Sequence, residues 1–293
     1  METKRKKYRS KKGMERLSNT VIYIILTVIS VIWLFPFFYL VLQSFRAEPG
    51  ATTNYFFPKE YTFDNYIKLF TEKTPFNFMQ WYVNTLLVSL VVTVFQTIIV
   101  LMTSYALSRL RFKFRKPLMN LILILGMFPG FMSMTAVYFV LKQLNLTKNL
   151  LGLMIVYIAS SAMQYYICKG FFDTIPKSLD EAARIDGANR HQVFIRIILP
   201  LSKPIIIYTI LTAFIVPWGE YMFSSLLMLG EADKFNVALG LKEMLHKENV
   251  YQYFTRFCAG AVVVSIPITA LFIWLQKYYV EGVTGGAVKG KKE

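Results

Sequence analysis

Charged residues are scarce in this sequence: they make up 17% of its 293 residues, whereas soluble domains carry about 25%. The shortage alone does not exclude a soluble protein, but the spacing of the charges does, because they sit in islands between long uncharged stretches. Cysteine and histidine are scarcer still. Cys168 and Cys258 lie in or beside apolar blocks, and His191 and His246 stand far apart. Neither pair has the spacing of a metal site or a disulfide framework, so neither is expected. Catalytic triads, paired carboxylates and metal-ligand clusters are lacking as well, so no catalytic site is expected in this chain. The formal net charge of +16 raises nucleic acid as a partner. A nucleic-acid binder, however, displays Lys and Arg on exposed faces or a recognition helix. Here they bunch at the ends of apolar blocks, so no nucleic-acid partner is expected.

What the sequence has in abundance is apolar runs of membrane-crossing length. About 20 residues of helix cross a hydrocarbon core. Residues 17–45 and 74–108 contain no charge at all. Six spans are predicted, at 19–45, 82–107, 117–141, 149–169, 204–228 and 257–277, the fourth only just long enough. The first run is far longer than the ~7–15 residues of a signal-peptide core and lacks a small-residue cleavage site, so it reads as an uncleaved span. Residues 46–80, rich in aromatics and turn formers such as Phe56, Phe57, Pro58 and Tyr61, are predicted to form an outer loop with a small lid or interfacial helix. Pro36, Pro129, Pro217 and Pro267 fall within spans, where prolines permit kinks.

Lys and Arg set the orientation. Residues 1–18 form a basic tail from Lys4 to Arg16, and Arg109, Arg111, Lys113, Arg115 and Lys116 follow the second span. The tail 281–293 adds Lys289, Lys291 and Lys292. The alternate loops are mixed or nearly neutral, so both termini are predicted to face the cytoplasm.

That orientation puts residues 176–200, PKSLDEAARIDGANRHQVFIRIILP, on the cytoplasmic side. Ser178 and Glu181 have capping-box spacing, predicting a helix from about Leu179 with Asp180 and Glu181 in its first turn. Gly187 supplies a stop or bend, and a second helix is predicted over 189–198, ending at Pro200. Small Ala182 and Ala183 allow close approach of another surface, with Arg184, Asp186 and Arg190 around it. Val193, Phe194, Ile197 and Ile198 can pack back onto the bundle. From these residues alone, an idle amphipathic helix at the membrane surface is an equal alternative.

The pattern EAA-x3-G-x9-I-x-LP is the signature of ABC importer permeases, and Glu181, Ala182, Ala183, Gly187, Ile197, Leu199 and Pro200 fill every position of it. FPKEYTFDNY from Phe57, NTLL at Asn84, YALSRLRF at 105–112 and EGVTGGAVKG at 281–290 resemble the carbohydrate-uptake branch, and within it the second permease subunit of maltose/maltodextrin importers. The resemblance implies an all-α, six-span type I importer permease of the bacterial plasma membrane, with a core over 81–280. Residues 176–200 would then form a loop that seats in an ATP-binding subunit, with Glu181, Ala182, Ala183, Arg184, Asp186, Gly187, Ile197, Leu199 and Pro200 as coupling residues. The implied partners are a homologous permease, an ATPase dimer that binds the ATP and Mg²⁺, an extracellular solute-binding lipoprotein, an oligosaccharide and the lipid bilayer. This chain would hold no cofactor. Maltodextrin is the substrate implied first, with galacto- or xylo-oligosaccharides and polysaccharide fragments as alternatives. Gly219 departs from the family pattern, in which Asn or Asp often follows the Trp.

Glu220 is the one charge inside the fifth apolar run. Intramembrane ionisable groups are costly and therefore candidate functional residues, so Trp218, Glu220 and Tyr221 form a candidate sugar path; the alternative is that the span ends earlier. A stand-alone secondary transporter would need intramembrane charges and inverted repeats, and the sequence offers one charge and no repeat. Gly285-x4-Gly290-Lys291 mimics a phosphate loop, but Lys292 replaces the Ser or Thr and no strand precedes it, so it is not a nucleotide site. The energy source must lie on another chain.

Overall fold

The computed structural model describes residues 2–128 and 130–289; Pro129, Gly290 and Lys291 are outside them. Long apolar runs favour helix because a helix satisfies its own backbone donors and acceptors, and the described residues are helical apart from connections and one isolated bridge between Arg46 and Tyr61. The helices are α1 (Glu2–Ser44), α2 (Asp64–Thr71), α3 (Phe78–Arg109), α4 (Arg115–Met127), α5 (Gly130–Gln143), α6 (Leu150–Ala159), α7 (Ala162–Asp173) and α8 (Lys177–Ile185). After α9 (Arg190–Val193) comes a π-helical turn (Phe194–Ile198). It is followed by α10 (Leu199–Leu201), α11 (Lys203–Gly219), α12 (Met222–Met228), α13 (Val237–Met244) and α14 (Val250–Lys289). Three stretches are long and apolar enough to cross a membrane, namely Ser18–Ser44, Phe78–Arg109 and Val250–Gln276. Three bent helix pairs bring the number to as many as six.

The expected spans 117–141 and 149–169 are bent pairs, and the expected span 204–228 is broken as well. Residues 117–141 are two helices, because Phe128 precedes a proline, which disfavours αR, and is extended (ψ 129°). The predicted fourth span turns by 41° at Ser160 and Ser161, where the Ser161 hydroxyl donates to the Ile158 carbonyl (2.7 Å). The predicted fifth span, 204–228, stops at Gly219. Pro217 removes one helical donor, Glu220 is extended (ψ 115°), and α12 begins two residues later. The basic tail is not separate from the first span, since helix continues from Glu2. The last span begins earlier than 257, at Val250.

Helix α3 lies at the centre, packed on α6, α7, α11 and α13. Its N-terminal end is fixed by polar contacts to the segment before α13. Trp81 Nε1 donates to the Ala232 carbonyl (2.8 Å), Asn84 Nδ2 to those of Asp233 (2.8 Å) and Phe235 (3.0 Å), and the Val237 amide donates to Thr85 Oγ1 (2.7 Å). Midway along, Gln96 Nε2 donates to Ser161 Oγ (2.9 Å) and Gln164 Oε1 (3.1 Å), and Gln164 Nε2 donates to Thr212 Oγ1 (3.1 Å). This chain of amides ties α3, α7 and α11 together. Lipid is as apolar as a leucine side chain, so such bonds, on average about 0.6 kcal/mol each, add to packing in choosing the helix partners. In the 46–80 loop, α2 packs on α14. Asn65 there donates to the carbonyls of Ser44 (3.0 Å) and Arg46 (2.8 Å) and accepts from Thr255 (3.0 Å).

Gly240 is required by close approach: a Cβ built there would lie 2.0 Å from the Trp81 ring. Gly240→Ala is expected to displace Trp81 from Ala232 at a cost of about 1–3 kcal/mol, read as a lower Tm in detergent with altered tryptophan fluorescence. An unchanged Tm would contradict this packing.

Candidate functional site

Helix α8 carries the first three signature residues, Glu181, Ala182 and Ala183, and its start differs from expectation. Its first residue is Lys177, Pro176 precedes it as N-cap, and no side-chain cap forms, so Ser178 and Glu181 do not make the predicted capping box. Pro176 fits this entry because proline tolerates the end of a helix where amides have no partner anyway. The capping box forms instead at Asn189, whose side chain accepts from the Gln192 amide (2.9 Å) while Gln192 Oε1 accepts from the Asn189 amide (2.8 Å).

The end of α8 is as the sequence implies. Gly187 has φ +86°, its amide donates to the Arg184 carbonyl (3.1 Å), and the Ala188 amide donates to the Ala183 carbonyl (2.9 Å). This pair of bonds is a Schellman motif. A Cβ at Gly187 would meet nothing within 4 Å, so glycine is needed there for its backbone and not for space. The helix predicted over 189–198 runs as α9, the π turn and α10 up to Leu201. It widens where the Leu199 amide donates to the Phe194 carbonyl, because the Pro200 ring crowds the carbonyl four residues back. An 83° bend at Ser202 then turns the chain into α11.

Two kinds of contact hold this loop to the bundle. Ala183, Ala188, Val193, Phe194, Ile198 and Leu199 join a cluster with Val100, Leu101, Cys168, Phe172 and Ile205, and the rings of Tyr105 and Phe194 lie 4.6 Å apart. Beside that cluster, Arg109 Nε lies 3.0 Å from Asp180 Oδ2, and the Arg109 side chain is only 4% exposed. Arg109 Nη2 donates to the Ile175 carbonyl (2.8 Å), and the Ser108 hydroxyl donates to Asp173 (2.6 Å). The end of α3 is thus joined to the start of α8. The ion pair is imperfectly aligned. Nε and Nη1 of Arg109 and Oδ1 of Asp180 have no hydrogen-bond partner among the described residues. Burial pushes the Asp180 carboxyl above the ordinary aspartate range, against the opposing pull of Arg109. Desolvation therefore outweighs attraction, and the pair positions α8 more than it stabilises the fold.

The outward face of α8 is the part left free. Ala182 is exposed, and Ile185 is 86% exposed at the last turn of a helix whose other apolar residues are partly covered or small. Glu181, Arg184 and Asp186 are exposed around it, Ile197 and Leu199 are half-buried, and Pro200 is exposed. Ile185, Arg109 and Tyr105 were not recognisable as site residues from the sequence. Ile185 occupies a variable position of the signature, and Arg109 counts only as one more basic residue near a span end. The signal available for Ile185 was its spacing: four residues before it stands Glu181 and seven before it Ser178, a polar stripe that an isolated isoleucine interrupts.

The second candidate group is not brought together as one surface. Trp218 is buried between Phe214 and Tyr82. Glu220 accepts from the Tyr157 hydroxyl (2.8 Å) and from the amides of Phe223 (2.7 Å) and Ser224 (3.2 Å), so its carboxylate caps α12 at the break of the span. Tyr221 alone of the three is exposed.

Removing Asp180 leaves the Arg109 cation buried without its counter-charge, which costs on the order of 3 kcal/mol. Asp180→Ala is therefore expected to lower Tm and to speed proteolysis within residues 169–203, while Arg109→Met with Asp180→Leu recovers most of the stability. Equal stability of the single and double variants would contradict the pairing.

The family of binding-protein-dependent transport system inner membrane components matches residues 99–285, a range that contains α8 and all of its anchors from Tyr105 on. The galactooligosaccharides transport permease GanQ of Bacillus subtilis is 36% identical over 269 residues, 92% of this chain and 94% of GanQ. The maltodextrin transport permeases MdxG of Bacillus subtilis and MalD of Streptococcus pneumoniae are each 34% identical across 94% of this chain and 97% of their own length. Among solved structures, a bacterial ABC transporter involved in import of the acidic polysaccharide alginate matches with a TM-score of 0.74 and 25% identity, over 90% of this chain and 97% of that one. The chain therefore belongs to the family of binding-protein-dependent transport system inner membrane components, as a multi-pass plasma-membrane permease subunit of a sugar ABC importer similar to the MalG type, in which ATP hydrolysis falls to partner chains.

Proposed function

We propose that this permease imports a neutral oligosaccharide of the maltodextrin type and that α8 is the element by which a partner ATPase dimer drives it. The observation that carries the second part is the free Ala182 and Ile185 face on a helix whose other side is pinned by Arg109 and the apolar cluster. A small residue beside an exposed branched one makes a knob for a cleft, and an anchored helix passes a push to α3 instead of absorbing it. With Lys and Arg concentrated before α1 and between α3 and α4, the positive-inside rule places both termini and α8 on the cytoplasmic side. ATP and Mg²⁺ are then bound by the ATPase, a homologous permease completes the path, and an extracellular binding protein delivers the sugar. Coupling requires only that the ATPase contact the two permease states differently.

The substrate reading is supported by the likeness to MdxG and MalD, which are maltodextrin transport permeases. Galactooligosaccharide is the second reading, favoured by the 36% identity to GanQ. Within the path, Tyr221 is the exposed aromatic that can stack on a sugar, while Glu220 holds the corner that presents it.

Ile185→Asp puts a charge into the docking contact, where an anchor side chain is worth about 2 kcal/mol or more. The expected result is normal membrane insertion with ATPase association weakened about thirtyfold and loss of sugar-stimulated ATP hydrolysis. Retention of the ATPase at wild-type affinity would overturn the docking role. Uptake of labelled maltodextrin and of galactooligosaccharide by the reconstituted importer decides between the two substrates.

A further inference from the structure

Beside α8, on the face that carries Lys177, Asp180, Glu181 and Arg184, is a cavity of about 340 Å³ between the end of α3, the start of α4, α8 and α9. Its walls carry six cationic side chains, Arg109, Arg111, Arg115, Lys177, Arg184 and Arg190, against the two carboxylates of Asp180 and Glu181. Asp180 is already engaged by Arg109. Arg109 itself is almost wholly buried, and its Nε and Nη1 lack hydrogen-bond partners among the described residues. An excess of four positive charges around a polar cavity, with unpaired guanidinium donors in its wall, is a receptor for an anion with several acceptor oxygens.

The cavity has an apolar annex. A groove of about 240 Å³ is lined by Met102, Ala106 and Phe194 and shares Tyr105, Leu110 and Arg190 with the cavity as common walls. Met102 is 58% exposed on a helix long and apolar enough to cross the membrane, so the groove opens on the surface that acyl chains contact. A free phosphate, or a carboxylate from a partner chain, would use the cations and leave the groove empty. A phospholipid uses both, and basic pockets beside spans on the cytoplasmic side suit anionic headgroups.

We propose that this cavity binds the phosphate of an anionic phospholipid, with one acyl chain along the groove of Met102, Ala106 and Phe194. The lipid is then a structural wedge between α3 and the inner face of α8: the phosphate supplies acceptors to Arg109, Arg111, Arg115 and Arg190, and keeps the cations of α8 and α9 from repelling those of α3 and α4. It leaves the outer face of α8 free, so lipid and docking partner are compatible, and the inference does not depend on the identity of the docking partner.

The test is lipid binding by the full chain in detergent, followed by native mass spectrometry during titration with short-chain phosphatidylglycerol, with phosphatidylcholine, and separately with inorganic phosphate and glycerol phosphate. The expected result is one tight phosphatidylglycerol site, with phosphatidylcholine and the two soluble phosphates weaker by about tenfold or more. Arg111→Gln with Arg115→Gln removes two cations from the wall and is expected to weaken phosphatidylglycerol about tenfold or more, since each basic residue near an anionic lipid contributes about 1 kcal/mol. Ala106→Phe fills the groove and is expected to weaken the lipid while leaving the soluble phosphates unchanged. A Tm close to that of the parent chain, measured in both variants, shows that they are folded. Equal binding of phosphatidylglycerol and phosphatidylcholine, or wild-type lipid binding by both folded variants, would overturn the proposal. Soluble phosphate binding as tightly as the lipid would overturn the lipid as its source.

Discussion

The coupling role proposed for α8 hangs on one contact of small net energy, the buried pair of Arg109 and Asp180. Bringing two charges out of water costs about as much as their attraction returns, and this pair is not even well aligned. Its consequence is geometric. Arg109 is the last residue of α3, the helix around which the bundle is packed, and Asp180 lies in the first half of α8. With Arg109 also bonded to the Ile175 carbonyl, the entry to α8 has a fixed place relative to the central helix. The apolar cluster around Ala183, Val193 and Ile198 fixes its exit. A short exposed helix held at both ends is a lever; the same helix on a loose loop is not.

The other end of the lever is the chain of side-chain amides inside the bundle. Gln96, Gln164 and Thr212 link α3 to α7 and α11, and Trp81, Asn84 and Thr85 link the far end of α3 to the segment that enters α13. In lipid, apolar surfaces alone distinguish poorly between neighbours, and such bonds select which helices move together. The break at Ser161 lies on the first of these ties, and the break at Glu220 is bonded to Asn236 at the entry to α13, so the bundle is divided into segments joined at corners. In this account a displacement of α8 is carried by α3 to the break at Glu220, where the Tyr221 ring is presented.

Much of this was legible in the sequence, for reasons that also explain what was not. Apolar runs of 20 or more residues are set by bilayer thickness, and three of the expected runs coincide with helices long and apolar enough to cross, Ser18–Ser44, Phe78–Arg109 and Val250–Gln276. The residues that break those runs could not be ranked. Pro36 and Pro267 sit inside continuous helices, while Pro217 lies in the last turn before a break, because a proline ends a helix only where another contact, here the Glu220 cap, stabilises the alternative. In the loop, Gly187 was readable because only a backbone conformation is at stake. The Ser178–Glu181 capping box was misread because Pro176 moves the start of the helix two residues earlier. Glu220 drew attention as a lone charge, but a carboxylate that accepts two amides and a hydroxyl looks the same in sequence as one that faces a substrate. Arg109 could not be singled out among the five basic residues of 109–116, since only the fold shows which of them is buried.

The claim that α8 and α3 move as one body is tested most directly by a distance. Spin labels at Leu179 on α8 and Met102 on α3, both exposed, report it by pulsed electron resonance in the assembled importer, without nucleotide and with ATP bound. The account predicts one narrow distance, the same in both states, while a label on α14 shifts relative to Met102; in Asp180→Ala the distance from Leu179 to Met102 broadens. A distance between Leu179 and Met102 that changes on ATP binding in the parent chain would contradict it.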